Sequence, residues 1–224
     1  MQAQTQDGKK AEEALAALCQ RYWYPLFAWL RYQGYSPDRA EDLTQGFFAR
    51  ILEKKGFSQA DPDRGRFRSF LITSLRNYIA NEYDHQAATK RGGGKTVVSL
   101  DASQGESRLQ LFVDHGDPQQ IYERTWAMEL LQIVMQHLVD DFQSRGKSAE
   151  FEILRPHLTG NKDGSTSYES AARSLRMSEE AVRQAVHRMR KRFRERLRAE
   201  VASTVSTEAD IDDEIRSLFQ ALGS

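Results

Sequence analysis

Apolar residues recur at helical spacing along most of the chain, and no stretch sustains the alternation of a strand. Residues 11–55 carry a helical and unusually aromatic pattern that includes Tyr22, Trp23, Tyr24, Phe27, Trp29, Tyr32, Tyr35, Phe47 and Phe48. Gly34 and the Ser36-Pro37-Asp38 run divide this stretch into two helices. Ser36 suits the N-cap, and Pro37 suits the first helical position, where a missing N–H costs nothing. Asp61-Pro62-Asp63-Arg64-Gly65 is a turn or loop. A third helix is predicted from about Phe67 to His85, carrying Phe70, Leu71, Ser74, Leu75, Tyr78 and Ile79 inward.

The pattern then lapses. From Lys90-Arg91-Gly92-Gly93-Gly94-Lys95 to Asp117-Pro118 the chain is rich in Gly, Ser and Asp, the composition of a flexible linker. Helix is expected again from about Gln119 to Phe142, with Ile121, Trp126, Met128, Leu131, Val134, Met135 and Leu138 apolar, and from about Ser148 to Leu158. Tyr168 to Leu197 reads as a helix, a tight break and a second helix. Ala171, Ala172 and Leu175 form a short buried face. Ser178 is the N-cap of the second helix, Glu179 and Glu180 suit its positive start, and Ala181, Val182, Val186, Met189 and Phe193 continue the apolar stripe. An acidic amphipathic segment follows, Ile211 to Leu222, with Ile211, Ile215, Leu218, Phe219 and Leu222 on one face. The expected architecture is all-α: small helical domains over 11–91 and 119–202, a flexible linker over 92–118, and an acidic helical tail over 203–224.

Charge sharpens the picture. The chain has 32 basic and 32 acidic side chains and no net charge, yet Arg173 to Arg198 holds ten Lys or Arg against three Glu. So concentrated a field attracts phosphate and makes binding salt-dependent. A run of this kind is often only a solvated helix face. Here it coincides with a capped helix after a short break, the arrangement that lays a second helix in the DNA major groove.

Other chemistry is excluded by spacing. The apolar runs are too short for a membrane span, and the N-terminus lacks the apolar core of a signal peptide, so a cytoplasmic protein is expected. Cys19 is the only cysteine, which rules out an internal disulfide and a thiolate metal site. Gly92-Gly93-Gly94-Lys95-Thr96 resembles a phosphate loop, but Thr89 stands where that motif needs its first Gly. Asn161-Lys162-Asp163-Gly164 lacks the ligand register of a calcium loop. His85, His115, His137, His157 and His187 are scattered without metal-ligand spacing. No nucleophile–base constellation is visible, so neither catalysis nor a cofactor is expected.

In this order, the modules resemble the extracytoplasmic-function (ECF) group of bacterial RNA polymerase sigma factors. Ser36 to Phe48, with Asp42-Leu43-Thr44-Gln45-Gly46-Phe47-Phe48 at its centre, is similar to the family's conserved-region-two helix. Arg66-Phe67-Arg68-Ser69-Phe70-Leu71, leading to Arg76-Asn77-Tyr78-Ile79-Ala80-Asn81, is similar to the segment that opens and reads the minus-ten promoter element. The helix-turn-helix resembles the region-four reader of the minus-thirty-five element. The resemblance implies a non-enzymatic subunit that binds core RNA polymerase, at the largest-subunit clamp coiled coil and the flap, and that recognises and melts promoter DNA. An anti-sigma protein is a possible further partner.

Residues follow from that implication. Asp42, Gln45, Phe48 and Arg50 would meet the polymerase, while Leu43 and Phe47 suit either that contact or the core. Arg64, Arg66, Arg68, Arg76, Asn77, Asn81, Lys90 and Arg91 would serve the melted strand, with Phe67, Phe70, Tyr78 and Tyr83 as stacking platforms and the loop from Gln59 to Arg66 as base pocket. Core packing is the alternative role for Phe70 and Tyr78, and for Phe70 it is the favoured one. In the reader, Arg183, Gln184, His187 and Arg188 match base- and backbone-contacting positions, and Arg190 and Lys191, with Arg192 and Arg194, suit phosphate. Arg183→Ala is then expected to relax sequence preference, and Lys191→Ala to weaken all DNA binding. Arg176 stands in the turn where the family usually has Gly. The acidic tail is expected either to fold onto the second domain through Ile215, Leu218 and Phe219 and temper DNA binding, or to act as a plain capping helix. The competing function is a stand-alone helix-turn-helix regulator with a sensing or dimerising first module.

Overall fold

Ser36 and Pro37 start a helix as their chemistry requires. In a computed structural model, which describes residues 19–53, 66–88, 117–158, 167–205 and 207–223, helix α1 is seen over 19–32 and α2 over Pro37–Glu53. The Ser36 hydroxyl accepts from the Arg39 N–H at 3.3 Å. Helix α3 spans Phe67–Ala88, α4 Pro118–Ser144, α5 Ser148–Leu154, α6 Tyr168–Leu175, α7 Glu179–Ala202 and α8 Glu208–Gly223. Every element among the described residues is helical. Pro156, which has no N–H to donate, tightens the chain after α5 into a 3-10 turn, Arg155–His157. The linker 92–116, the loop 59–65, and Arg64, Lys90 and Arg91 lie outside the described residues.

The chain divides into two compact units. One takes residues up to Glu129 together with Thr204–Ser224, and the other is Leu130–Ser203. This differs from the domain limits expected from sequence, because the boundary falls inside α4 and α8 joins the first unit. The reason lies in what α4 buries before Glu129: Ile121, Tyr122, Thr125, Trp126 and Ala127. Tyr122 donates its hydroxyl to the Arg68 carbonyl at 2.9 Å, which ties this part of α4 to α3.

Within the first unit the aromatic pattern of α1 becomes core. Tyr22, Trp23, Tyr24, Leu26, Phe27, Trp29 and Leu30 are buried with Leu43, Phe47, Phe48 and Ile51 of α2 and Leu71, Ile72, Leu75 and Ile79 of α3. Each large side chain withdrawn from water contributes about 1.5–3 kcal/mol. Helix α8 adds Ile211, Leu218 and Ala221 and also buries Glu214.

The second unit has its own core. Leu138, Phe142, Phe151, Leu154, Ala171, Ala172, Val182, Ala185, Val186 and Met189 cluster, flanked by Met135, Val139, Ile153, Leu158, Tyr168, Leu175 and Phe193. The small Ala171, Ala172 and Ala185 let α6 and α7 approach closely. Phe142 and Phe151 meet at a ring-centroid distance of 5.3 Å.

Three helix ends share one geometry. At the ends of α1 and α4, Gly34 and Gly146 take positive φ (89° and 68°), and the following N–H bonds back to Leu30 and Phe142. The end of α6 does the same with Arg176, whose φ of 53° and ψ of 43° are left-handed. Its N–H bonds to the Arg173 carbonyl, and the Met177 N–H to the Ala172 carbonyl at 3.0 Å. The turn keeps the glycine-type geometry without the glycine.

Candidate nucleic-acid interface

Local chemistry fixes both helices of the α6–α7 pair. The Ser167 hydroxyl accepts from the Ser170 N–H at 3.1 Å and caps α6. The Ser178 hydroxyl accepts from the Ala181 N–H at 3.2 Å and caps α7. Glu179 and Glu180 occupy the first turn of α7, where the helix dipole favours them. Because Val182, Ala185, Val186, Met189 and Leu197 face inward, the opposite face must carry Gln184, His187, Arg188 and Lys191. All four are exposed, as is Arg183.

Several of these side chains are already oriented. Arg183 lies 3.5 Å from Glu179 and its guanidinium sits 5.0 Å from the Tyr168 ring centroid. Gln184 donates to Glu180 at 3.4 Å, and Lys191 is 3.8 Å from Glu195. These exposed pairs contribute little stability and are readily exchanged for a nucleic-acid partner. Arg190 differs from the sequence expectation. It donates from Nε and Nη2 to the His157 carbonyl at 3.1 and 2.6 Å, so its guanidinium fastens α7 to the 3-10 turn instead of pointing at phosphate. His157 is buried, its ring stacks on Tyr168 at 4.7 Å, and burial followed by the neighbouring Arg190 lowers its pKa from 6.5. On the flank of the exposed face, Arg145, Lys147, Arg188 and Arg192 line a cleft of about 90 Å³. Beyond Arg188 it adds three cations within reach of a phosphate chain, with Lys147 paired to Glu150 of the same cleft at 2.8 Å.

At the start of α3 the expected strand-binding residues have unequal fates. Arg68 is only 4% exposed. Its Nε is 2.8 Å from Glu214 of α8, and its guanidinium lies 4.4 Å over Trp126. Arg68 therefore departs from the expectation of a surface contact: it is a core cation with a core counter-ion. Arg66 has its Nε 3.0 Å from the same carboxylate and donates to Ser217 at 2.7 Å, while its side chain remains 40% exposed. Further along, Arg76 donates to Gln119 at 3.5 Å and lies 5.3 Å over Trp29. Asn77 and Asn81 are exposed, and Asn81 donates to the Asn77 carbonyl at 2.8 Å. Tyr83 is exposed and hydrogen-bonded to Tyr35 at 3.2 Å. Phe70 is half-buried, whereas Tyr78 tilts against Phe47 at 5.9 Å and is half-buried too.

On α2, Asp42 is exposed and Gln45 donates to Glu41 at 2.8 Å. Arg50 lies 5.8 Å over the Tyr78 ring. Phe48 departs from its expected place at the surface. It is buried with its ring 5.5 Å from Phe47, because an aromatic at that helical position falls on the core face. Gly46 lies where the Tyr78 hydroxyl approaches α2, so a side chain there would collide with it. The surviving polar residues are Asp42, which is exposed, and Gln45 and Arg50, which are half-buried.

Sequence reasoning missed Glu214 as the shared partner of Arg66 and Arg68. A signal existed: Ile211, Glu214, Leu218 and Ala221 follow helical spacing, which puts an acid inside an apolar stripe. The tail expectation is corrected accordingly. Helix α8 belongs to the unit of α1–α3, Phe219 is 55% exposed, and the second domain is not its seat. Among the described residues no three His, Cys, Asp or Glu converge as metal ligands, and no helix is long and apolar enough to cross a membrane. No family model, curated protein or solved structure matches the chain.

Proposed function

We propose that the chain is a promoter-recognition subunit of bacterial RNA polymerase, a sigma factor of the ECF kind. One observation carries this proposal: a capped helix, α7, presents Gln184, His187, Arg188 and Lys191 on its outer face, directly after a short helix and a left-handed turn. Gln184 and Arg188 have the donor and acceptor groups that read adenine and guanine edges, and Lys191 with the Arg145–Lys147–Arg192 cleft supplies phosphate contacts. Asp42, Gln45 and Arg50 on α2 give a polar face for helix-on-helix docking to the polymerase clamp. Arg66, Arg76 and Tyr83 supply cations and an aromatic for a separated strand. Phe48, Arg68 and Arg190 drop out of these roles.

The deciding experiment combines purified chain with bacterial core RNA polymerase and a promoter library in an initiation assay. Expected are co-elution with core enzyme and initiation from a defined subset of promoters. A chain that ignores core enzyme and binds palindromic duplex alone as a dimer is a free-standing regulator, and the proposal fails.

A further inference from the structure

Resting on the strand-binding role just proposed for Arg66, we infer that α8 is a built-in competitor for that site: Glu214 and Ser217 hold Arg66 until a nucleic-acid strand displaces them. Arg66, just before α3, and Arg68, in its first turn, both reach one carboxylate, Glu214, at 3.0 and 2.8 Å; Arg68 is its buried anchor and Arg66 the partly exposed cation it occupies. Ser217, one helical turn on, takes the remaining reach of Arg66 at 2.7 Å. A phosphate oxygen makes the same charge-assisted contacts to guanidinium groups, so carboxylate and strand exclude one another. The rest of α8 suits a stand-in for an anionic polymer. Glu208, Asp210, Asp212, Asp213 and Glu214 face a single cation, Arg216, within the helix. Asp213 holds Arg216 at 2.7 Å, which leaves Arg66 and Arg68 to Glu214.

The contact has the character of a latch as well as of a core. On α8 Ile211, Leu218 and Ala221 are buried and Ile215 and Leu222 half-buried, while its aromatic, Phe219, is 55% exposed. Glu214 is taken out of water to reach the arginines, and that desolvation offsets part of the ion-pair gain. The occupant named here is a single strand and not a small anion. The half-buried rings of Phe67 and Phe70, 6.1 Å apart, alternate with Arg66 and Arg68 and offer bases a π-face beside the phosphate contacts. When a binding-competent state is only fractionally populated, apparent affinity falls by that fraction. Loosening α8 must therefore tighten strand binding.

The test uses the full chain, a fluorescent single-stranded oligonucleotide of mixed sequence at low salt, and tryptophan fluorescence to verify folding. Glu214→Gln is expected to tighten binding about tenfold and Ser217→Ala about twofold to threefold. Adding Arg66→Ala to Glu214→Gln should abolish the gain, which separates this site from the cations of α7. In the unaltered protein, saturating oligonucleotide should speed amide exchange across Glu208–Gly223. If that helix exchanges no faster with strand bound, or if Glu214→Gln and Ser217→Ala bind the strand only as well as the parent, α8 is a structural cap and the inference is overturned while strand binding stands. If neither parent nor variants bind the strand, the strand-binding role and the inference fall together.

Discussion

Removing the Glu214 carboxylate isolates the energetic weight of the buried cluster at the start of α3. Arg68 is 4% exposed and Glu214 is 2% exposed, so Glu214→Ala strands a guanidinium in the interior. Breaking one side of a buried pair costs about 3–5 kcal/mol. Glu123, 3.9 Å from Arg68 and partly exposed, recovers little of this. Arg66 adds less than about 1 kcal/mol because solvent reaches it. At about 1.4 kcal/mol per factor of ten, the folded-to-unfolded ratio of the first unit should drop more than about a hundredfold. Urea titration followed by tryptophan fluorescence reads this unit alone, since Trp23, Trp29 and Trp126 are the three tryptophans of the chain and all lie in it. Arg68→Met with Glu214→Leu should return within about 1 kcal/mol of the parent, as apolar replacement of a whole buried pair does. The pH dependence has a defined sign. Burial, the largest influence, lifts the Glu214 pKa above 4.5 despite Arg68 and Arg66. Its contribution is then fully present below pH 4.5 and lost as pH rises through the folded value. Glu214→Gln should flatten that slope. A cost below about 1 kcal/mol for Glu214→Ala at pH 7 would refute the buried-pair reasoning.

The second unit makes its own predictions. Arg176→Gly should raise its stability by about 0.5–1 kcal/mol, because a left-handed φ of 53° penalises any Cβ; a far-UV circular dichroism melt that shows a loss instead contradicts the turn geometry. His157, held neutral by burial, should cost the unit stability as pH falls below 6.5, since the unfolded imidazole takes up the proton first. A flat circular dichroism titration between pH 5 and 7 would argue against it. On the interface, Arg188→Ala should reduce discrimination between matched and mismatched duplex by about 1–3 kcal/mol, measured by competition binding. Lys191→Ala should instead weaken all duplexes alike and lower the salt slope by about one. Equal loss on every sequence for Arg188→Ala removes it from base reading.

Much of the fold is local and therefore visible in the chain itself. Ser36, Ser167 and Ser178 cap because a side-chain oxygen reaches an N–H in the next turn, whatever lies around it. Gly34 and Pro37 mark the α1–α2 break, and the apolar stripe of α7 predicts which face must be buried and so which face carries Gln184, His187, Arg188 and Lys191. Residue type alone also suggested the cations of α3 and α7, but not which of them would be spent on the protein's own carboxylates and carbonyls.

Those assignments needed the third dimension. Phe48 and Arg68 are chemically fit for a surface, yet the helix face on which each falls turns inward. Arg190 meets the His157 carbonyl across 33 positions of sequence, and Arg68 meets Glu214 across 146, distances over which no periodicity carries information. The same holds for α8: its amphipathic stripe guaranteed a helix that must dock, but the partner was set by where Arg66, Arg68, Trp126 and Tyr122 converge. Hydrogen-bond reach and helical period act within a few residues and leave their mark on the sequence. Burial and charge pairing are properties of assembled surfaces, and only the packed chain decides them.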